Sequence, residues 1–175
     1  MIGNEIDLLR NYPKTKRDLS KRLETKSPEH REIARQFGKD FFDGTRDTGY
    51  GGFHYHERFW KPVVPDFQEH FDLSGSSSLL DVGCAKGFML ADLKKNIRGI
   101  KLSGVDISEY AVQNSHPDVA DTISVGSCDD LPFENNSFDV VISITTIHNL
   151  DYDGCVRSLR EIERVAKQKS FITVD

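Results

Sequence analysis

Residues 79 to 90, Leu79-Leu80-Asp81-Val82-Gly83-Cys84-Ala85-Lys86-Gly87-Phe88-Met89-Leu90, change period halfway along. Leu79 to Val82 are apolar but for one acid, the pattern of a strand buried on both faces of a parallel sheet. Phe88, Leu90, Ala91 and Leu93 then recur at helical spacing. Gly83 and Gly87 bracket the turn between the two patterns. A strand that passes through a glycine turn into a helix is the opening unit of an α/β sheet. It brings backbone N–H groups to a ligand at the carboxyl end of the first strand. The turn is not the dinucleotide pattern G-x-G-x-x-G, because Ala85 stands where the second glycine belongs. Asp81, just ahead of the turn, would repel a pyrophosphate and suits a ligand carrying positive charge.

The rest of the chain alternates in the same way. Lys101 to Asp106 predicts a second strand that ends on an acid, and Glu109 to Asn114 a helix that His116-Pro117-Asp118 ends. Thr122 to Val125 predicts a third strand and Phe138 to Ser143 a fourth, after the polar turn Asn135-Asn136-Ser137. Gly154 to Gln168 predicts a helix with Cys155, Leu159, Ile162, Val165 and Ala166 on one side, and Phe171 to Val174 a fifth strand. This alternation predicts a doubly wound, Rossmann-like α/β domain with a parallel sheet in the order 3-2-1-4-5 and right-handed crossovers. Asp106 lies roughly 20 residues past the glycine turn, where a carboxylate that accepts from both ribose hydroxyls is expected. Its competing reading is a helix N-cap, since Asp106 and Ser108 precede a helix. Capping alone would not require this register with the glycine turn, so ribose binding is favoured.

An acid before a glycine-rich turn resembles motif I of the class I S-adenosylmethionine (SAM) methyltransferases, and the resemblance extends over roughly residues 75 to 175. It implies SAM as cofactor, with Asp81, Gly83, Cys84, Ala85 and Gly87 in the cofactor loop, Asp106 on the ribose and Ile107 packed on the adenine. Gly126-Ser127-Cys128-Asp129-Asp130-Leu131-Pro132-Phe133 resembles the segment in which the family's aspartate accepts from the adenine amino group. Ser127 stands at that aspartate's position, with Asp129 two residues on as an alternative acceptor and Cys128 offering its backbone N–H. Leu131-Pro132-Phe133 reads as structural. Phe138-Asp139-Val140-Val141 matches the family's fourth strand, with Asp139 read as bonding backbone and Ser143 placed among the cofactor contacts. Relatives often carry histidine near Ile147-His148-Asn149-Leu150, facing the methyl donor, which makes His148 the candidate catalytic base. Its competing reading is a cap for the next helix. The family normally adds two further strands. Their absence suggests a truncated chain, or a fifth-strand edge covered by the N-terminal arm, a partner or a second copy.

Residues 1 to 72 predict a helical N-terminal arm and a cap segment, ahead of a cofactor domain over 73 to 175. Ile6, Leu8 and Leu9 form an apolar patch, Leu19 and Leu23 sit one helical turn apart, and Ser27-Pro28-Glu29 reads as a helix start. Ile33, Ala34, Phe37, Phe41 and Phe42 predict one helix face ending near Gly44. Glycines among Tyr50, Phe53, Tyr55, Phe59 and Trp60 make an aromatic segment that forbids a regular helix. It either folds over the cofactor mouth, with Tyr50 touching the cofactor, or anchors the arm to the sheet. His54 and His56 lack a third nearby ligand and read as surface residues rather than a metal site. Val63 to Phe71 predicts the helix leading into the domain, and Lys86 reads as pointing at a ligand carboxylate or into solvent.

A net charge of −5 argues against a nucleic-acid grip, and no apolar run is long enough to cross a bilayer. The three cysteines, Cys84, Cys128 and Cys155, are odd in number and widely spaced, which favours a reduced, cytoplasmic setting without structural zinc. The expected function is SAM-dependent methyl transfer to a small molecule, a hydroxyl of a sugar or metabolite being favoured. The alternatives are a non-catalytic SAM-binding or partner module and, less favoured because of Asp81 and the missing glycine, a nicotinamide-dependent oxidoreductase.

Overall fold

In a computed structural model that describes residues 6–14 and 27–174, five strands form one parallel sheet in the order β3-β2-β1-β4-β5. They are β1 (Ser78–Val82), β2 (Lys101–Asp106), β3 (Ile123–Val125), β4 (Phe138–Ile144) and β5 (Ala166–Thr173). Among the described residues, six α-helices accompany them: α1 (Pro28–Arg35), α2 (Lys39–Phe42), α3 (Val64–Phe71), α4 (Phe88–Asn96), α5 (Glu109–Gln113) and α6 (Tyr152–Val165). The strand order is the one that the sequence predicts. β1 is central, flanked by β2 at Leu102 and β4 at Val140 beside Leu79, and its Leu79, Leu80 and Val82 are buried in the cores on the two faces.

Successive strand residues face opposite ways, and each face has its own core. Leu79, Val140 and Ile142 pack with Phe67 and Phe71 of α3 and Leu90 and Leu93 of α4. Leu80, Val82 and Val141 pack with Ile162 and Val165 of α6. Asp139 accepts from the Ser78 backbone N–H (2.7 Å) and hydroxyl (2.8 Å), the structural role expected of it.

The N-terminal part is fastened in pieces. Leu8 is buried in the first core, Tyr12 packs on Trp60 (ring centroids 4.8 Å apart), and Arg10 and Asn11 both bond Asp66 at the start of α3. The reading at Leu19 and Leu23 lies outside the described residues. Ser27 caps α1 as expected, exchanging bonds with His30 in a capping box. The single face expected from Ile33 to Phe42 is two short helices, because Phe37 is left-handed (φ 48°) and Gly38 restarts the chain. The break is set by a tertiary bond, from the Ser108 hydroxyl to the Phe37 carbonyl (2.5 Å).

Two other expectations need correction. α6 stops at Val165 and β5 begins at Ala166 rather than Phe171. Strand pairing with β4 outweighs local helix preference here, for Ala166 lies opposite Phe138 and Lys167 is paired with Asp139 at 2.7 Å. The face that α6 turns inward carries Gly154, Ser158, Ile162 and Val165, while Leu159 is exposed. The outer edge of β5 pairs with no strand among the described residues. No helix among them is long and apolar enough to cross a membrane.

Candidate functional site

The carboxyl ends of β1, β2 and β4 converge on one turn. After β1, the Gly83 and Cys84 N–H groups both donate to the Val105 carbonyl (2.7 and 3.2 Å), which swings the chain across the end of β2. Gly83 has φ 83°, and a Cβ there would fall 2.1 Å from Thr146 Oγ1, so only glycine lets the loop after β4 close onto it. Gly87 starts α4 at φ 70°, where a Cβ would strike Ile123. Ala85 takes the same left-handed region (φ 50°), as does Thr145 (φ 53°) in the facing loop. Such a conformation costs a non-glycine residue about 1 kcal/mol or more, and strain of this kind collects at functional sites. What holds Ala85 there is Asp106, whose Oδ2 accepts the Ala85 N–H at 2.7 Å.

Asp106 therefore ties the first turn to the second strand. Its other oxygen accepts the Ser108 N–H (2.9 Å), while the Ser108 hydroxyl, accepting from Ala111 N–H (3.0 Å), is the N-cap of α5. The capping role thus falls to Ser108. Two carboxylate oxygens offer about four lone-pair sites, so two remain for a pair of hydroxyls. Burial raises the Asp106 carboxyl above its ordinary range, against the pull of the two N–H groups. Asp81 is more extreme. It is buried, has no hydrogen-bond partner among the described residues, and is pushed up to about 7 by burial and then by Asp106. The same burial and the same two acids push the Cys84 thiol well up. An unpartnered buried carboxylate next to a second one is a place for a cation.

Beside Asp106 lie two large apolar side chains in the open, Ile107 (57% exposed) and Val125 (47%), whose strand position is opposite Asp106. Beyond them the Gly126 N–H donates to the Asp106 carbonyl (3.0 Å) and leads into Ser127. The Ser127 hydroxyl donates to Asp129, which also receives the Arg157 guanidinium through Nε (3.1 Å) and Nη2 (2.8 Å). Those two partners hold the Asp129 carboxyl below its ordinary range. Cys128 is half-buried, its sulfur accepting from the Ser158 hydroxyl (3.3 Å), and burial raises its thiol. Ser143 is wholly enclosed within β4, and its hydroxyl has no partner among the described residues. It lies beneath the cleft surface rather than on it.

His148 is exposed on a 3-10 turn, Ile147–Asn149, two residues beyond the Thr146 that covers Gly83. It caps nothing: Asp151 caps α6 by accepting the Gly154 N–H (2.8 Å). Tyr50 joins an aromatic pile with Phe41, Phe42 and Phe53, and Phe53 stacks on Phe88 at the start of α4 (5.0 Å). Phe42 reaches Tyr110 of α5 (6.4 Å). The aromatic segment thus anchors the arm to α4 and α5. His54 and His56 are exposed, and no three metal-ligating side chains cluster among the described residues.

Lys86 does not reach toward a ligand or solvent. It is buried, paired with Asp43 at 2.7 Å and donating to the Phe53 carbonyl (3.0 Å). Asp43 also accepts from the Tyr110 hydroxyl (2.7 Å) and the Phe53 N–H (2.9 Å), and its carboxyl, opposed by burial, is lowered to about 2 by these partners. Sequence reasoning missed this clasp, and Thr146 and Arg157 with it. Each acts through a partner distant in the chain, and no local pattern joins the two.

Residues 80–174, more than half of the chain, match the family described as the methyltransferase domain. The chain is 33% identical over 105 residues to the human mitochondrial arginine-hydroxylase NDUFAF5, which covers 59% of this chain and 28% of that protein. It is 31% identical over 118 residues to the sterol 4-C-methyltransferase strm-1 of Caenorhabditis elegans, covering 61% and 33%. Among solved structures, a SAM-dependent methyltransferase from Methanococcus maripaludis superposes with a TM-score of 0.57 at 19% identity, over 66% of this chain and 55% of that one. The chain spans about a quarter to two fifths of the length of the curated relatives it matches.

Proposed function

The chain belongs to the class I SAM-dependent methyltransferase family, and from that premise we propose that it methylates a small molecule, a hydroxyl of a sugar or metabolite being favoured. The observation that carries the reading is the pair of buried carboxylates at the ends of adjacent strands, Asp81 without a partner and Asp106 gripping the cofactor loop through Ala85. This donor set fits SAM. Asp81 would offer charge to a cation, the remaining lone pairs of Asp106 would take two ribose hydroxyls, and Ile107 and Val125 would give the purine an apolar ledge. Gly83, Cys84, Ala85 and Gly87 shape the loop around the amino-acid part of the cofactor, with Ser127, Cys128 and Asp129 at its purine end.

Bound there, SAM supplies a methyl group already activated on a sulfonium. The chain's own task is to position an acceptor in line with it and keep water out. His148, exposed on the 3-10 turn two residues beyond Thr146, is in this reading the base that takes a proton from an acceptor hydroxyl. Tyr50 and the aromatic segment close the mouth, the arm being a cap as well as an anchor. Three free, widely separated cysteines support a cytoplasmic setting. A second copy or a partner along β5, whose outer edge pairs with no strand among the described residues, is part of the reading, and sedimentation at high concentration tests it.

Calorimetric titration with SAM tests the binding half of the proposal. Asp106→Ala should weaken binding about 100-fold, since two hydrogen bonds to a charged group are lost. His148→Ala should leave binding intact and slow transfer by about 10²–10⁴-fold. Release of S-adenosylhomocysteine on a panel of hydroxylated small molecules tests turnover. SAM bound tightly with no product from any acceptor would favour a non-catalytic binding module instead.

A further inference from the structure

The loop after β3 contains an arrangement that the cofactor reading does not require. In that reading the base would lie on the exposed Ile107 and Val125, and the next polar side chain along the chain after Val125 is Ser127. A serine hydroxyl has one hydrogen and two lone pairs and ordinarily rotates to suit its partner. Here the rotor is fixed, because its hydrogen is given to Asp129 Oδ1. Asp129 is in turn held from its other oxygen by the Arg157 guanidinium of α6, through two N–H groups. The loop has little freedom to escape this alignment. Ser127 bridges back to Asp130, Leu131 N–H donates to Glu161 (2.8 Å), and Arg164 donates to the carbonyls of Leu131 (3.0 Å) and Phe133 (2.7 Å). A hydroxyl that donates to a carboxylate is polarised and becomes a better acceptor on its remaining side.

We propose that Asp129 and Arg157 are positioning residues which turn the Ser127 hydroxyl into an acceptor only, and that this makes the site select a 6-aminopurine over a 6-oxopurine. The proposal rests on the cofactor reading and deepens it. A free serine would serve either purine, donating to a 6-oxo group or accepting from a 6-amino group. A serine whose hydrogen is already committed meets the 6-oxo group with lone pairs against lone pairs. Discrimination thus comes from fixing a proton two residues away, with α6 as the support.

The test is calorimetric titration of the whole chain with S-adenosylhomocysteine and with its 6-oxo analogue, S-inosylhomocysteine. Wild-type protein should prefer the amino form by roughly tenfold or more. Ser127→Ala should lower affinity for the amino form and bring the ratio near one. Asp129→Ala, which removes the acceptor of the Ser127 hydrogen, should weaken the amino form and strengthen the 6-oxo form, because the released hydroxyl can then donate, and Arg157→Ala, which leaves that acceptor but not its support, should move the ratio the same way by less. Arg157→Lys, which keeps the charge but not the fork, should fall between Arg157→Ala and wild type. A merely structural staple would weaken both ligands alike, so an unchanged ratio in Asp129→Ala and Arg157→Ala overturns the proposal, even where thermal melting shows the variants destabilised. Wild-type protein that binds both forms equally also overturns it and leaves the cofactor reading standing. Wild-type protein that binds neither overturns both.

Discussion

Asp81 illustrates how one side chain can carry a site's electrical logic. Its carboxyl is pushed up to about 7, above the ordinary carboxylate value near 4. Between those values the folded chain keeps a proton that the unfolded chain has lost. Stability should therefore be full below about pH 4 and fall as pH rises toward about 7. A cationic ligand prefers the ionised form, so binding must expel that proton. SAM affinity should rise with pH and level off above about 7, and Asp81→Asn should flatten both profiles. Titrations in two buffers of different ionisation enthalpy count the proton released; no release near pH 6 would show that Asp81 does not face the cation. Asp81, Gly83, Gly87 and Asp106 were legible in the sequence because each belongs to a local pattern, a strand ending in a turn. Lys86 sits in that same pattern and was misread. Its partner, Asp43, lies 43 residues earlier in the chain, and no local rule joins them.

Between elements, the Lys86–Asp43 clasp joins the arm to the cofactor loop, and Tyr110 adds α5 to the same carboxylate. The Asp43 carboxyl is lowered to about 2, so this stabilisation is present above the ordinary carboxylate value and lost as pH falls through about 2. Removing one member strands a buried charge, and Lys86→Met or Asp43→Asn should each cost about 3 kcal/mol in urea denaturation. The double variant should recover part of that loss, because no unpaired charge is left. Additive losses would mean that the two groups do not interact. The boundary between α6 and β5 shows a similar limit of local reading. Ala166 to Gln168 look like the tail of a helix until β4 is beside them, and ladder pairing then decides in favour of strand. The aromatic segment was legible as aromatic and non-helical. That it anchors onto Phe88 and Tyr110 became visible only when α4 and α5 were in place.

For the molecule as a whole, the arm and the sheet share one core. Leu8, Val63, Val64, Phe67 and Phe71 pack in a single cluster with Leu79, Val140 and Ile142, and Trp60 packs against it. Trp60 is the chain's single tryptophan, so its fluorescence reports the arm while far-ultraviolet circular dichroism reports helices and strands throughout. The two signals should follow one denaturant transition with the same midpoint. A fluorescence change at distinctly lower denaturant would show that the arm unfolds independently. The sequence by itself determined the strand–turn–helix alternation, the sheet order it implies, and the two acids that close β1 and β2. Those features are written in period and spacing, which each segment carries on its own. Only the tertiary structure decided which groups those acids meet, where α6 gives way to β5, and which charge neutralises Lys86. Such choices depend on contacts between residues far apart in the chain, made only once the strands lie side by side.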